Sequence, residues 1–292
     1  MAQWKGTVLI TGGTDGLGKA AALLLARRGY LVFAAGRSSA KREELNRVAH
    51  EERLPIHTLE MDVSDNASVQ IGVELVLEKG QGIDVLINNA GVGYMAVVEE
   101  IRIDDFRRQF EINLFGVLRV TQAVLPHMRQ RRHGRILMMS SAAGLVSPPT
   151  YGAYSSSKHA LEGLSNALRL ETYPFGIDVI LIEPGYIVTN FQQTAKELAQ
   201  HYFDGAKNSP YAKVYAGALA GSDRGREGSK TTPEDCARVL LEAIEVPHPK
   251  IRYPVTSTTK WLLFGKRILP DTLLESILRK WFGITREGPR KP

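Results

Sequence analysis

The sequence predicts an α/β protein built on a doubly wound parallel sheet of about seven strands, and three observations predict it. Short runs rich in Val, Ile and Leu recur along the chain, segments of helical period separate them, and the runs are apolar on both faces. Strands covered by helices on each side have that pattern. The runs are residues 7–10, 31–35, 56–61, 85–87, 135–139 and 178–182, with a seventh near 251–255. Between them, leucines and alanines fill one face of 19–28, and 106–128 reads as one long helix. From 190 to 232 the regularity fades, with Gly205, Gly217, Gly221, Gly225 and Gly228 among Ser, Lys and Arg. Such a stretch is expected to form a lid or a mobile loop. Helical order resumes with Thr232 as N-cap and Pro233 at the first helical position.

Composition narrows the class. A chain of 292 residues holds one large domain or two modest ones, and the lack of repeats and low-complexity linkers favours a single domain over 1–292. With 43% hydrophobic and 23% charged residues, disordered, collagen-like and disulfide-stapled classes are excluded. The single cysteine, Cys236, points to a reducing compartment, and the scattered histidines give no expectation of a metal site. The net charge of +6 is uneven: residues 250–292 carry ten Lys/Arg against three Asp/Glu, and the body carries 27 against 28. A neutral body predicts no nucleic-acid partner. No apolar window of about 18 residues and no signal-peptide pattern occurs, so a cytoplasmic protein is expected. The C-terminal extension, 256–292, combines Trp261, Phe264, Ile268, Leu273, Ile277 and Trp281 with basic residues. It packs on the body or on a second subunit, the favoured readings, or it lies on an anionic membrane surface.

The first predicted strand runs directly into Thr11-Gly12-Gly13-Thr14-Asp15-Gly16-Leu17-Gly18, with a helix behind it. Glycines there let backbone N–H groups close on an anion, and the helix N-terminus adds its positive dipole end. A dinucleotide pyrophosphate fits. The second strand ends Ala34-Ala35-Gly36-Arg37-Ser38, where NAD-selective sites present an acid to the ribose diol. A cation and a hydroxyl in that place suit a 2′-phosphate, so NADP(H) is favoured over NAD(H).

Further motifs follow in order: Asp62-Val63, Asn88-Asn89-Ala90-Gly91, Asn113, Ser140-Ser141, Tyr154 with Lys158, and Pro184-Gly185. The set resembles the short-chain dehydrogenase/reductase family, with its TGxxxGxG loop and YxxxK pair, firmly over residues 5–190. The resemblance implies a Rossmann-like fold, an NADP(H)-dependent oxidoreductase acting on carbonyl and alcohol groups, and a homo-oligomer. It implies that Gly12, Thr14, Asp15, Gly16, Leu17 and Gly18, with Arg37 and Ser38, bind the cofactor. Asp62 and Val63 would contact the adenine, Asp62 having the alternative of a helix-capping acid. Asn89, Ala90 and Gly91 would flank the ribose, and Pro184, Gly185, Ile187 and Thr189 would border the nicotinamide.

Tyr154 and Lys158 lie one helical turn apart, so they share a face. A free phenol titrates near about 10, and a neighbouring ammonium favours its anion. By resemblance Tyr154 is the general acid/base, and both residues touch the cofactor. Ser141 would hold the carbonyl oxygen, with Ser140 competing from the cofactor side. Asn113 would support a proton path to the lysine, or kink its helix through a bond to a backbone carbonyl. Phe191, Tyr202, Phe203, Tyr211 and Tyr215 in the expected lid, beside Tyr151 and Tyr186, suit a bulky hydrophobic substrate such as a steroid, retinoid or lipid. They equally suit packing of the lid on the body. The rival readings are a dinucleotide-binding regulator without turnover and a lyase or epimerase on the same fold.

Overall fold

A computed structural model describes residues 4–286, so the last six residues of the C-terminal extension lie outside the described residues. Seven strands form one parallel sheet: β1 (Thr7–Thr11), β2 (Leu31–Ala35), β3 (Ile56–Leu59), β4 (Val85–Asn88), β5 (Gly134–Met139), β6 (Ile177–Glu183) and β7 (Arg252–Pro254). Their order is β3-β2-β1-β4-β5-β6-β7. The chain therefore reverses direction across the sheet between β1 and β4, and the carboxyl ends of these two strands open the crevice where such sheets bind ligands.

All five residues of β1 are buried because helices cover both faces. Val8 and Ile10 pack toward α1 (Gly16–Arg27), α2 (Ser39–Glu51) and α9 (Pro233–Glu245). Leu9 packs toward α3 (Asn66–Gly80), α5 (Gly116–Arg131) and α6 (Gly152–Thr172). Alternation along one strand thus feeds two cores, each buried side chain contributing about 1.5–3 kcal/mol. At the start of α9, Thr232 accepts from the Asp235 amide while the Asp235 carboxylate accepts from the Thr232 amide, and Pro233 fills the first turn. The expected cap is present.

The structure departs from two expectations. The segment expected as one helix over 106–128 is divided into α4 (Ile103–Phe110), a π-turn over Glu111–Phe115, and α5. The extra residue in that turn carries Asn113 toward the strand-end loop. Residues 190–232, expected as irregular, contain α7 (Asn190–Gly205) and α8 (Ala212–Glu227). Three of the glycines that suggested a mobile loop, Gly217, Gly221 and Gly225, serve close approach. A Cβ on Gly221 would lie 2.3 Å from the Phe282 ring, and one on Gly225 would lie 2.3 Å from the Tyr186 ring. Phe282 follows α11 (Asp271–Trp281), which with α10 (Ser257–Ile268) makes up the C-terminal extension. Among the described residues no helix is long and apolar enough to cross a membrane.

Candidate active site

The cavity over the carboxyl ends of β1 and β4 has a volume of about 690 Å³. Its floor is the glycine loop. Gly12 takes a positive φ of 60°, and a Cβ on Gly18 would sit 2.2 Å from the Gly12 carbonyl oxygen, so α1 begins tight against the turn. The Asp15 carboxylate caps α1 by accepting from the Gly16 amide at 2.8 Å. Thr14, Asp15, Gly16 and Leu17 line the cavity beside Gly12, whereas Gly18 lies beneath the loop and only shapes it. The Asn89 side chain donates to the Thr11 and Gly12 carbonyls, each at 3.0 Å, and so ties β4 to the loop. A cradle in which Gly13 and Gly18 leave no room for a Cβ, opening on a helix N-terminus, fits a dinucleotide pyrophosphate.

At the end of β2, Arg37 stands half-exposed on the cavity wall, 3.6 Å from the Asp62 carboxylate. Burial pushes the Asp62 carboxyl up, but hydrogen bonds from the Ser64 side chain and backbone, with Arg37, hold it below the usual range. Asp62 closes this turn, whereas Asp65 caps α3, so the helix-cap alternative for Asp62 fails. Ser38 caps α2 through the Lys41 amide, and Arg42 fixes the loop by donating to the Gly36 and Arg37 carbonyls. Lys41 also lines the wall and pairs with Asp15. The sequence reading missed it, although its place one turn after Ser38 could have found it. Val63, Ala90, Gly91, Pro184, Gly185, Ile187 and Thr189 line the remaining length of the cavity.

At the other end, α6 presents Tyr154 and Lys158 to the cavity, the lysine buried and the tyrosine partly exposed to it. The Lys158 ammonium lies 5.7 Å from the Tyr154 ring centroid and donates to the Met139 carbonyl at 2.7 Å. Burial pushes the Tyr154 phenol up to about 12, against the opposing pull of the Ser141 hydroxyl. Burial thus outweighs the Ser141 hydrogen bond, and the phenol is protonated at neutral pH rather than shifted down as the sequence led one to expect. Burial likewise pushes Lys158 down to about 8, with Glu162 opposing. Ser141, rather than Ser140, hydrogen-bonds with the phenol. Ser140 donates to Glu162 at 2.5 Å. Asn113 does not line the cavity: its amide donates to the Val92 carbonyl at 3.0 Å and accepts from the Val92 amide at 2.9 Å, and it also reaches Ser157 at 3.3 Å. It clamps the loop after β4 to α6, and the kink alternative accounts for what the structure places there.

Beneath Lys158 lies a buried ionic cluster that the sequence reading did not find. Arg252 of β7 pairs with Glu162 at 2.6 Å and with Glu183 at the end of β6. Burial and the neighbouring Glu162 push Glu183 up to about 7 in spite of Arg252. The spacing of Glu162 four residues beyond Lys158 was the available signal; its partners come from distant strands.

Of the aromatics expected in the lid, Phe191 lines the cavity, 5.7 Å from the Tyr154 ring between centroids. Tyr202 donates to Asp105 and Tyr215 to Glu100, while Phe203 meets Tyr215 edge-on, so these three pack the segment onto the body. Tyr211 donates to Glu99 in the same way. Tyr151 and Tyr186 line the cavity, joined by Val146, Pro148, Leu262 and Leu278. The last two come from α10 and α11, which carry the wall's apolar surface from far along the chain.

A parallel sheet of this order, a glycine cradle at its switch point and a Tyr–Lys pair in the same cavity define a dinucleotide-dependent oxidoreductase of the α/β class. The chain belongs to the short-chain dehydrogenase family, whose model, described as short chain dehydrogenase, matches residues 6–200. It is 32% identical over 280 residues to a 3-ketodihydrosphingosine reductase of Bacteroides thetaiotaomicron, covering 95% of this chain and 98% of the relative. It is also 32% identical over 280 residues to an NADPH-dependent 3-dehydrocapnine reductase of Ornithobacterium rhinotracheale, covering 93% and 95%. Among solved structures, a short-chain dehydrogenase from Streptomyces avermitilis superposes with a TM-score of 0.77 at 27% identity, covering 96% of this chain and 97% of that one.

Proposed function

We propose that this protein is an NADP(H)-dependent oxidoreductase that interconverts a carbonyl and an alcohol on a bulky, weakly polar substrate. The observation that carries the reading is the single cavity joining the glycine cradle to Tyr154, Ser141 and an apolar wall. When bound, the nicotinamide supplies hydride chemistry. The chain's own groups do the rest. Amides of the glycine loop and the α1 terminus hold the pyrophosphate, and Arg37, Lys41 and the Ser38 hydroxyl take the 2′-phosphate. Tyr154, whose phenol is protonated at neutral pH, gives its proton to the carbonyl oxygen in reduction and recovers it in oxidation. Ser141 holds that oxygen as charge develops, and the Lys158 ammonium keeps positive charge beside the phenol as the proton leaves.

Val146, Pro148, Phe191, Leu262 and Leu278 surround the reacting end with hydrocarbon, which favours a long-chain or polycyclic substrate. The sphingosine-type ketone in one relative's name is of this kind, and the NADPH in the other's supports the cofactor assignment. The test is nicotinamide absorbance at 340 nm over a panel of hydrophobic ketones and alcohols with NADPH or NADH. Turnover with NADPH and a hydrophobic ketone is expected. Tight NADPH binding with no turnover across the panel would leave the non-catalytic regulator as the better reading.

A further inference from the structure

The two C-terminal helices have an inner side in the cavity wall and an outer side with apolar residues in solvent. On α10, Trp261, Phe264 and Ile268 are 71%, 57% and 62% exposed, at spacings that place them on one face. On α11, Leu273, Ile277 and Trp281 form a second stripe, each nearly half exposed. The same helical geometry sets Lys260 and Arg267 beside the first stripe and Lys280 beside the second. Ile277 and Trp281 belong also to the lining of the cavity, as do Leu262 and Thr258 from the neighbouring helix. The exposed apolar surface is therefore continuous with the cavity mouth.

We infer that α10 and α11 dock this protein on an anionic lipid surface, with the mouth of the cavity opening into it. Charge decides between occupants. Two copies meeting through this face about a two-fold axis would bring Lys260, Arg267 and Lys280 of one against the same cations of the other. A surface of anionic headgroups pairs with these cations at about 1 kcal/mol each, while the tryptophans and the phenylalanine sink to the acyl boundary. Among the described residues, positions 250–286 carry eight Lys/Arg against Asp271 and Glu275, so the field at this face is positive. Phe282 and Arg224 hold α11 in register with the body: the ring is buried against Gly221, and the guanidinium lies 5.5 Å from the Trp281 ring centroid. The docking face is thus a fixed part of the folded molecule.

The inference is independent of the substrate reading, because lipid binding needs no turnover. The full chain is co-sedimented with vesicles of equimolar phosphatidylcholine and phosphatidylglycerol, and separately with phosphatidylcholine alone. Binding to the anionic vesicles that falls steeply with added salt is expected, with little on the neutral ones. The triple charge reversal Lys260→Glu, Arg267→Glu, Lys280→Glu lowers partitioning by more than about tenfold, and so does Trp261→Ser with Phe264→Ser. None of these five residues lines the cavity, so unchanged NADPH binding and melting certify the folded state. No pelleting of the native chain overturns the inference. So does pelleting indifferent to both sets of substitutions, or a native oligomer that dissociates on Trp261→Ser with no affinity for vesicles.

Discussion

Two neighbouring residues in one helical turn divide the proton chemistry between them. Burial moves their titrations in opposite senses, Tyr154 up to about 12 and Lys158 down to about 8. Across neutral pH the phenol therefore keeps its proton and the amine keeps its charge. Reduction should run at full rate near neutrality and decline through an ionisation near pH 8, as Lys158 loses its charge. The pH profile of kcat/KM for ketone reduction measures this, and Lys158→Met should be slow throughout and lack that limb. Tyr154→Phe removes the donor while leaving the cradle intact. Its turnover should fall by at least about a hundredfold, the lower end of general acid contributions, with NADPH affinity within a fewfold of native. A variant with native turnover would take Tyr154 out of the chemistry. At the cofactor end, Arg37→Ala deletes a charged hydrogen-bond donor, for which about 1.5–3 kcal/mol is typical. NADPH affinity should fall by about tenfold or more while NADH affinity barely changes, as read by fluorescence titration. Equal losses would mean that Arg37 serves only its pair with Asp62.

Elements whose residues answer to local chemistry were legible in the sequence; those whose residues answer to distant partners were not. The seven strands stand within a residue or two of the apolar runs, because the inner strands, covered on both faces, must be apolar on both, while the edge strands β3 and β7 are buried less fully. The cap at Thr232 and the loop from Gly12 to Gly18 were readable for the same reason, since side chain and backbone settle them within one turn. The stripe Gly217, Gly221 and Gly225 misled, since glycine raises the expectation of a loop unless the partner that needs the space is known. For Gly217 and Gly221 that partner, Phe282, lies some sixty residues further on in the chain, and for Gly225 it is Tyr186, about forty residues back. The kink at Asn113 was readable as an alternative, but its partner was not, for that is the backbone of Val92 on another loop. Gly221→Ala tests the stripe, because a Cβ there must displace the Phe282 ring. Overpacking of this kind costs about 1–3 kcal/mol. The variant should release the C-terminal segment to limited proteolysis near Arg279 and Lys280, at a lower protease concentration than the native chain needs. Equal resistance would show that α11 is held by contacts other than this one.

At the scale of the whole molecule, the last strand and the longest site helix are joined by charge as well as by packing. Glu183 on β6 and Glu162 on α6 converge on Arg252 of β7, and Glu183 retains a buried carboxylate oxygen with no hydrogen-bond partner. Burial and the nearby Glu162 charge disfavour the ionised form in spite of Arg252, so the Glu183 pKa rises from 4.5 to about 7 in the folded chain. A carboxyl held above its unfolded value binds a proton more tightly when folded. Its contribution to stability is complete below about pH 4.5 and is lost as pH rises through 7. Glu183→Gln fixes the uncharged form in nearly the same shape and leaves Arg252 paired with Glu162. The melting temperature of the native chain should therefore fall relative to that of Glu183→Gln as pH rises, the two curves separating most steeply between the unfolded value of 4.5 and the folded value of about 7 and running parallel above it. Arg252→Met gives the opposite test: it leaves two buried carboxylates without their cation, which costs about 3–5 kcal/mol where such a pair is broken, and its deficit should grow with pH. Parallel melting curves for native and Glu183→Gln across this range would mean that Arg252 keeps both carboxylates ionised, and that the joint between β6, β7 and α6 is an ordinary ion pair at every pH.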